Sequence, residues 1–155
     1  MKVLIATDGS EFSRDAAKGF CYFFPNLNEV QIKIVSVYEE HHALAAEPLV
    51  LPAEYYQQLS DAARKHAGHF AAQAGEIIRG QANDGDLQIS IEIINGPPEK
   101  EIIELARRWK PQLIVVGSHG RGFWGRILGS VSDAVVHNAQ CTVMVMRKPE
   151  CYCAD

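Results

Sequence analysis

Leu113-Ile114-Val115-Val116 is an apolar run with the length of a buried strand, and it empties into a loop holding five glycines, Gly117, Gly120, Gly122, Gly125 and Gly129. Ser130-Val131-Ser132-Asp133 then carries a helix-start signal. A strand, a glycine-rich loop and a helix N-terminus, in that order, constrain the chain to an α/β design with a phosphate site at the junction. Glycines let backbone N–H groups approach an anion, and the unpaired N–H groups and dipole of a helix start attract negative charge. The rest of the chain reads as a scaffold that presents this loop.

That scaffold alternates strands with helices. Lys2 to Thr7 is a short apolar strand ending at Asp8-Gly9-Ser10. Ser10 or a neighbour caps a helix with Phe12, Ala16, Ala17, Phe20 and Phe24 on its inner face, stopped by Pro25-Asn26. A second strand is expected from about Val30 to Tyr38, followed by a loop or partial lid from Glu39 to Ala53. A long helix from Tyr55 to about Gly80 follows, with a stripe at Tyr55, Leu59, Ala62, Ala63, His66, Phe70, Ala74 and Ile77, and with Gly68 and Gly75 as possible bends. Asn83-Asp84-Gly85-Asp86 is a turn signal. Leu87, Ile89, Ile91 and Ile93 then alternate with Gln88, Ser90 and Glu92, the pattern of a half-solvated strand near a sheet edge.

Gly96-Pro97-Pro98 opens the next helix, whose acids come first (Glu99, Glu101) and whose bases come last (Arg107, Arg108, Lys110), as the helix dipole favours. Ile102, Ile103, Ala106 and Trp109 are its expected buried face, and Pro111 stops it. Ser130 to about Ala139 is a short helix, and Cys141 to Met146 a last strand, apolar on both faces. The order β-α-β-α-β-α-β-α-β implies a parallel sheet with right-handed crossovers. No linker or repeat interrupts it, so residues 1–148 are expected to form one domain, with 149–155 as a tail.

Composition removes several functional classes. The net charge of −4 provides no long-range basic field for nucleic acid or an anionic membrane. No stretch approaches the roughly 20 apolar residues of a membrane span, and the N-terminus reads as a first strand rather than a signal peptide. A cytoplasmic address is expected. Cys21 and Cys141 fall in apolar segments and read as reduced residues of the core, whereas Cys151 and Cys153 sit close together in a polar tail.

Ligands of open parallel sheets sit beyond the carboxyl ends of the strands, where strand order reverses. With strands one and four as neighbours, Asp8 and Gly117 open onto one crevice. Asp8 then either faces a ribose or a phosphate-bound Mg²⁺, or serves as a turn and cap residue. Gly120-Arg121-Gly122-Phe123-Trp124-Gly125 matches G-x-G-x-x-G literally. The dinucleotide fingerprint, however, belongs after a first strand and needs an acid about 20 residues on, where Val145-Met146-Arg147 stands instead. Dinucleotide binding is rejected on those grounds, and the absence of G-x-x-x-x-G-K-[ST] excludes a Walker-type NTPase. His119 reads as a loop residue with at most a phosphate or backbone contact, because no partner base or orienting acid is identifiable. Arg121 and Arg126 either neutralise phosphates or form a solvated loop face. His41-His42 beside Glu39, Glu40 and Glu47 have the residue types of a metal site and equally those of a solvated acidic loop.

Three segments together resemble the universal stress proteins: Val3-Leu4-Ile5-Ala6-Thr7-Asp8-Gly9-Ser10, Val115-Val116-Gly117-Ser118-His119-Gly120-Arg121-Gly122, and Gly129-Ser130-Val131-Ser132, with the apolar last strand. The resemblance covers nearly the whole chain. It implies a five-stranded parallel sheet of order 3-2-1-4-5 with helices on both faces, like that of the adenine-nucleotide alpha hydrolases. In one branch it implies ATP, or AMP, bound with Mg²⁺ through G-x2-G-x9-G-[ST]. Gly117 and Gly120 match the first two glycines of that motif and Gly129-Ser130 the last pair, with eight residues between Gly120 and Gly129 where the motif has nine. Ala6, Thr7 and Asp8 match the first-strand segment lining the adenosine site, and Val37 and Val116 match base-contacting positions. Ser118, His119 and Arg121 within the loop, and Val131 and Ser132 after it, complete the expected cradle.

The resemblance also implies a homodimer through the last strand. Thr142 to Met146 lack a clearly polar face, and an apolar strand at a sheet edge needs cover, from a second copy or from the tail. The leading expectation is a nucleotide-binding regulatory module of stress response, with an unidentified signalling partner. Its alternatives are a nucleotide-independent dimeric interaction protein and a weak ATPase or adenylyl-transferring enzyme. The last has least support, since neither HxGH nor SGGxDS is present.

Overall fold

The computed structural model describes residues 1–40, 52–81, 87–119 and 128–147. The order is β1 (Lys2–Ala6), α1 (Glu11–Phe23), β2 (Gln31–Tyr38), α2 (Ala53–Gln81), β3 (Gln88–Asn95), α3 (Pro98–Trp109), β4 (Leu113–Gly117), α4 (Ser130–Asn138) and β5 (Thr142–Met146). The five strands form one parallel sheet in the order β3-β2-β1-β4-β5. Strands β1 and β4 are therefore central neighbours, with Val3 opposite Leu113 and Ile5 opposite Val115.

Both faces of the sheet are covered, which is why the central strands read as unbroken apolar runs. On one face Val3, Ile5, Ile32, Ile34 and Val115 pack against Ala16, Ala17 and Phe20 of α1 and Ala71, Ala74 and Ile78 of α2. On the other, Leu4, Val35, Ile114 and Val116 pack against Ile102 and Leu105 of α3 and Val135 of α4. Truncating any of the large, fully buried members to alanine costs about 2–5 kcal/mol.

Ser10 caps α1 as its sequence position suggests: its backbone is extended and its side chain accepts from Ser13 N. Pro98 opens α3, and Lys110 closes it in the left-handed conformation at φ 54°. The helix faces differ from expectation in three places. Phe12 leaves the core of α1 half-buried, its ring 5.2 Å from that of His119. In α2 the buried stripe is Ala67, Ala71, Ala74 and Ile78, whereas Ala62 and His66 are exposed. Small side chains bring this helix close to the sheet: a Cβ on Gly75 would stand 3.6 Å from Ile34 Cδ1. The helix runs unbroken through Gly68 and Gly75. In α3 the fully buried pair is Ile102 and Leu105, while Ile103, Ala106 and Trp109 are half-buried around it.

The turn expected at Asn83–Asp86, His41, His42, Cys151, Cys153 and the tail lie outside the described residues. Cys21 is buried and Cys141 half-buried, both as free thiols, and burial pushes each above the ordinary thiol pKa. Among the described residues, no helix is long and apolar enough to cross a membrane.

Candidate functional site

The carboxyl ends of β1, β2 and β4 meet the starts of α3 and α4 around a cavity of about 200 Å³. Two kinds of side chain line it. Ala6, Val35, Val37, Val116, Ile102 and Val131 supply its apolar lining, and Thr7, Asp8, Ser13, His119, Ser130 and Ser132 are the polar residues of that lining. Ala6, Thr7, Asp8, Val37, Val116, Gly117, His119, Gly129, Ser130, Val131 and Ser132 were each expected at the site from the sequence, and the fold brings all of them to this cavity. Gly120 and Arg121 lie outside the described residues, as do Gly122, Gly125 and Arg126.

The β1–α1 turn is held by its own polar groups. Thr7 N donates to Val35 O at 2.9 Å, tying the end of β1 to β2. Asp8 Oδ1 accepts from Ser10 N at 3.0 Å, and Thr7 Oγ1 accepts from Gly9 N at 3.3 Å. Thr7 Oγ1 also donates to Ser13 Oγ at 3.1 Å, and Ser13 Oγ donates to Ser10 O at 3.0 Å. Ser13, buried inside α1 yet lining the cavity, was missed by sequence reasoning, because a serine one turn into a helix carries no signal of its own until the helix is docked.

Gly117 has a reason beyond the phosphate motif. A Cβ there would stand 2.8 Å from Phe12 C and 2.9 Å from Phe12 O and Ser13 N, all backbone atoms. The end of β4 must be bare for the first turn of α1 to approach it. Ser118, also expected in the cradle, is buried and does not line the cavity. Its N–H donates to Met146 O at 2.7 Å, and its carbonyl accepts from Gly129 N at 2.9 Å and Ser132 Oγ at 3.0 Å. Ser118 Oγ lies 3.0 Å from His119 Nδ1. The two ends of the glycine loop are thus tied together at the mouth of the cavity.

Gly129 is the N-cap of α4, with extended backbone and no side chain to cap the helix. An α-helix leaves its first N–H groups without intrahelical partners. Here that end belongs to Ser130, Val131 and Ser132, all lining the cavity. Among the described residues no three His, Cys, Asp or Glu side chains cluster as metal ligands. One carboxylate, Asp8, next to hydroxyls suits Mg²⁺ that arrives with phosphate oxygens rather than an all-protein cage.

The model of the universal stress protein family matches residues 1–147. Universal stress protein MJ0531 of Methanocaldococcus jannaschii is 34% identical over 151 residues, covering 96% of this chain and 83% of that protein. Universal stress protein Mb2028c of Mycobacterium bovis is 29% identical over 147 residues, and this chain spans 45% of its length. Among solved structures, UspA of Lactobacillus plantarum superposes with a TM-score of 0.75 at 23% identity, over 95% of this chain and 97% of that one. A universal stress protein in complex with cAMP gives 0.63 at 20% identity, over 94% and 96% of the two chains. The Arabidopsis thaliana protein At3g01520, with AMP bound, gives 0.65 at 19% identity, over 97% and 93%. At those identities the structural likeness speaks for the fold. Together with the match along nearly the entire sequence, it establishes that this chain belongs to the universal stress protein family.

Proposed function

We propose that this chain is a nucleotide-binding regulatory module that takes ATP, or AMP, in the crevice between β1 and β4. The observation that carries the reading is the make-up of the cavity lining: apolar side chains that suit a flat base, together with a helix start without a side-chain N-cap, which suits phosphate. The base would lie against Val37, Val35 and Val116, the ribose near Asp8, and the phosphates at Ser130–Ser132 with Mg²⁺ on the Asp8 side. Relatives of the same fold with AMP and cAMP bound support an adenine nucleotide as the ligand class. The role in stress response, the cytoplasmic address and the single domain over residues 1–148 are parts of this same reading.

The test begins with freshly purified protein, denatured to release any bound nucleotide for chromatographic identification. The stripped protein is then titrated calorimetrically with ATP and Mg²⁺. Near-stoichiometric nucleotide, or saturable heat lost in Ser130→Glu, supports the reading. An empty protein silent at millimolar ATP ends it.

A second feature favours assembly with a copy of itself, whether or not nucleotide is bound. β5 lies at the sheet edge with Val143, Met144, Val145 and Met146 half-buried. Gly19 of α1 packs over Met146, and one turn further along α1 stand Tyr22 and Phe23, 81% and 59% exposed. An apolar edge strand flanked by exposed aromatics is the surface that pairing with a second β5 would cover. Light scattering on the eluting protein should give twice the chain mass, and Val145→Lys should return it to a monomer. A monomeric wild-type protein would refute the pairing.

A further inference from the structure

We infer that Phe70, far from the crevice in sequence and on α2, is a positioning residue that holds the Asp8–Gly9–Ser10 turn in its ligand-ready shape. The inference rests on the reading of the crevice as a nucleotide site. Gly9 lies in the left-handed region at φ +74°. A Cβ on it would stand 2.2, 2.4 and 2.6 Å from Phe70 Cδ1, Cγ and Cε1. Three ring atoms that close to one point mean that the ring lies directly on the glycine, occupying the space that any other residue's side chain would need.

The polar side of the turn is fixed by local bonds. Gly9 N donates to Thr7 Oγ1, Ser10 N donates to Asp8 Oδ1, and Arg14 Nη1 donates to Gly9 O at 2.6 Å, all within five residues. Local bonds of this kind survive a rigid rotation of the turn about its ends. Phe70 adds a contact from another element, on the side where Gly9 has no atoms of its own to resist movement. Its ring is itself flanked by His66 and His69, at 6.3 and 6.2 Å between ring centroids. Below Phe70 the helix is anchored in the core through Ala71, Ala74 and Ile78. The hold on the turn is therefore rigid from the α2 side, and removing the ring frees Gly9, the left-handed residue between Asp8 and the Ser10 N–H from which its carboxylate accepts.

The experiment compares wild type, Phe70→Ala and Phe70→Leu. Amide hydrogen exchange by NMR, without ligand, reads Gly9 and Ser10 against Ile5 and Val115 of the central strands. In Phe70→Ala, exchange at Gly9 and Ser10 should rise at least tenfold more than at the strand amides, which report global stability alone. Calorimetry with ATP and Mg²⁺ should show about tenfold weaker binding in Phe70→Ala, largely restored in Phe70→Leu. A purely structural role would accelerate all four amides together and leave the affinity of the folded protein unchanged, and either result overturns the inference. If wild-type protein takes no nucleotide, the functional reading falls by that result alone. Exchange at Gly9 and Ser10 still upholds or overturns the hold of Phe70 on the turn.

Discussion

Two helices begin at the same end of the sheet, and they finish their first turns in opposite ways. At α1, Ser10 caps Ser13 N, while Thr7, Ser10 and Ser13 spend their hydroxyls on one another and on backbone. At α4, Gly129 offers no side-chain cap. Its N–H is already committed to Ser118 O, and Ser132 Oγ turns away toward Ser118 O and Gly129 O. A helix start that satisfies itself is a structural joint; one with no side-chain cap among the described residues, lining a cavity, suits an anion from outside. On the proposed nucleotide reading, this difference gives the phosphates to α4 and the holding of Asp8 to α1.

The sharpest way to break that assignment is a charge at each start. Ser130 is exposed at the first position of α4, so Ser130→Glu should fold well. An acid in the first turn is worth about 0.3–1 kcal/mol to a helix. The same carboxylate would occupy the anion site and repel phosphate, weakening ATP binding by about a hundredfold, or ~2.7 kcal/mol. Higher stability with lost affinity is a pairing that simple damage cannot produce. Gly117 is a poor substitute for this test, since any side chain there strikes the backbone of α1 and confounds binding with folding.

The reverse result is expected at α1. Ser10→Ala removes a cap and should cost about 1 kcal/mol of stability, read as a lower midpoint in urea. Its effect on ATP affinity should be small, because the phosphates are assigned elsewhere. A Ser10→Ala protein of normal stability whose ATP affinity falls a hundredfold would reverse the roles of the two helices.

Much of this was legible before any coordinates. The cap at Ser10, the proline start of α3, the half-solvated alternation of β3 and the apolar edge strand each follow from local rules. The strand order came with the resemblance, and of the described residues it names for the cradle all but Ser118 line the cavity. What escaped was set by packing. The stripe expected in α2 followed bulk, through Tyr55, His66 and Phe70, whereas the core takes Ala67 and Ala71, small enough for the helix to lie near the sheet. Phe70 therefore reads as core in sequence and proves to be a contact on Gly9. Leu105 and Ser13 were passed over for the same reason: periodicity defines a face to within one residue, and docking decides which side of that margin is buried.

A cluster away from the crevice sharpens the contrast between polar groups that answer to one another and groups left for a ligand. Lys33 Nζ lies 2.8 Å from Glu92 Oε2, and Arg108 donates to Glu92 Oε1. Lys2 and Lys33 also stand over the Trp109 ring, at 5.5 and 5.4 Å from its centre. Burial pushes the Glu92 carboxyl up, but hydrogen bonding and charge from Lys33 and Arg108 outweigh it, so its pKa falls below the ordinary 4.5. A carboxylate with a depressed pKa contributes stability that is complete above its unfolded value and fades as pH drops through its folded value. The contribution should therefore be complete at neutral pH and begin to fade only as pH falls below about 4.5. For a pair this near the surface, screening limits it to about 1 kcal/mol. Glu92→Gln should lose that amount at pH 7 and converge with wild type in acid, as followed by urea unfolding across pH. ATP affinity at pH 7 should not change, because every partner of Glu92 named here lies outside the crevice. A Glu92→Gln protein that binds ATP more weakly at full stability would mean that the paired cluster and the open helix start are coupled, and that the division between scaffold and site runs elsewhere.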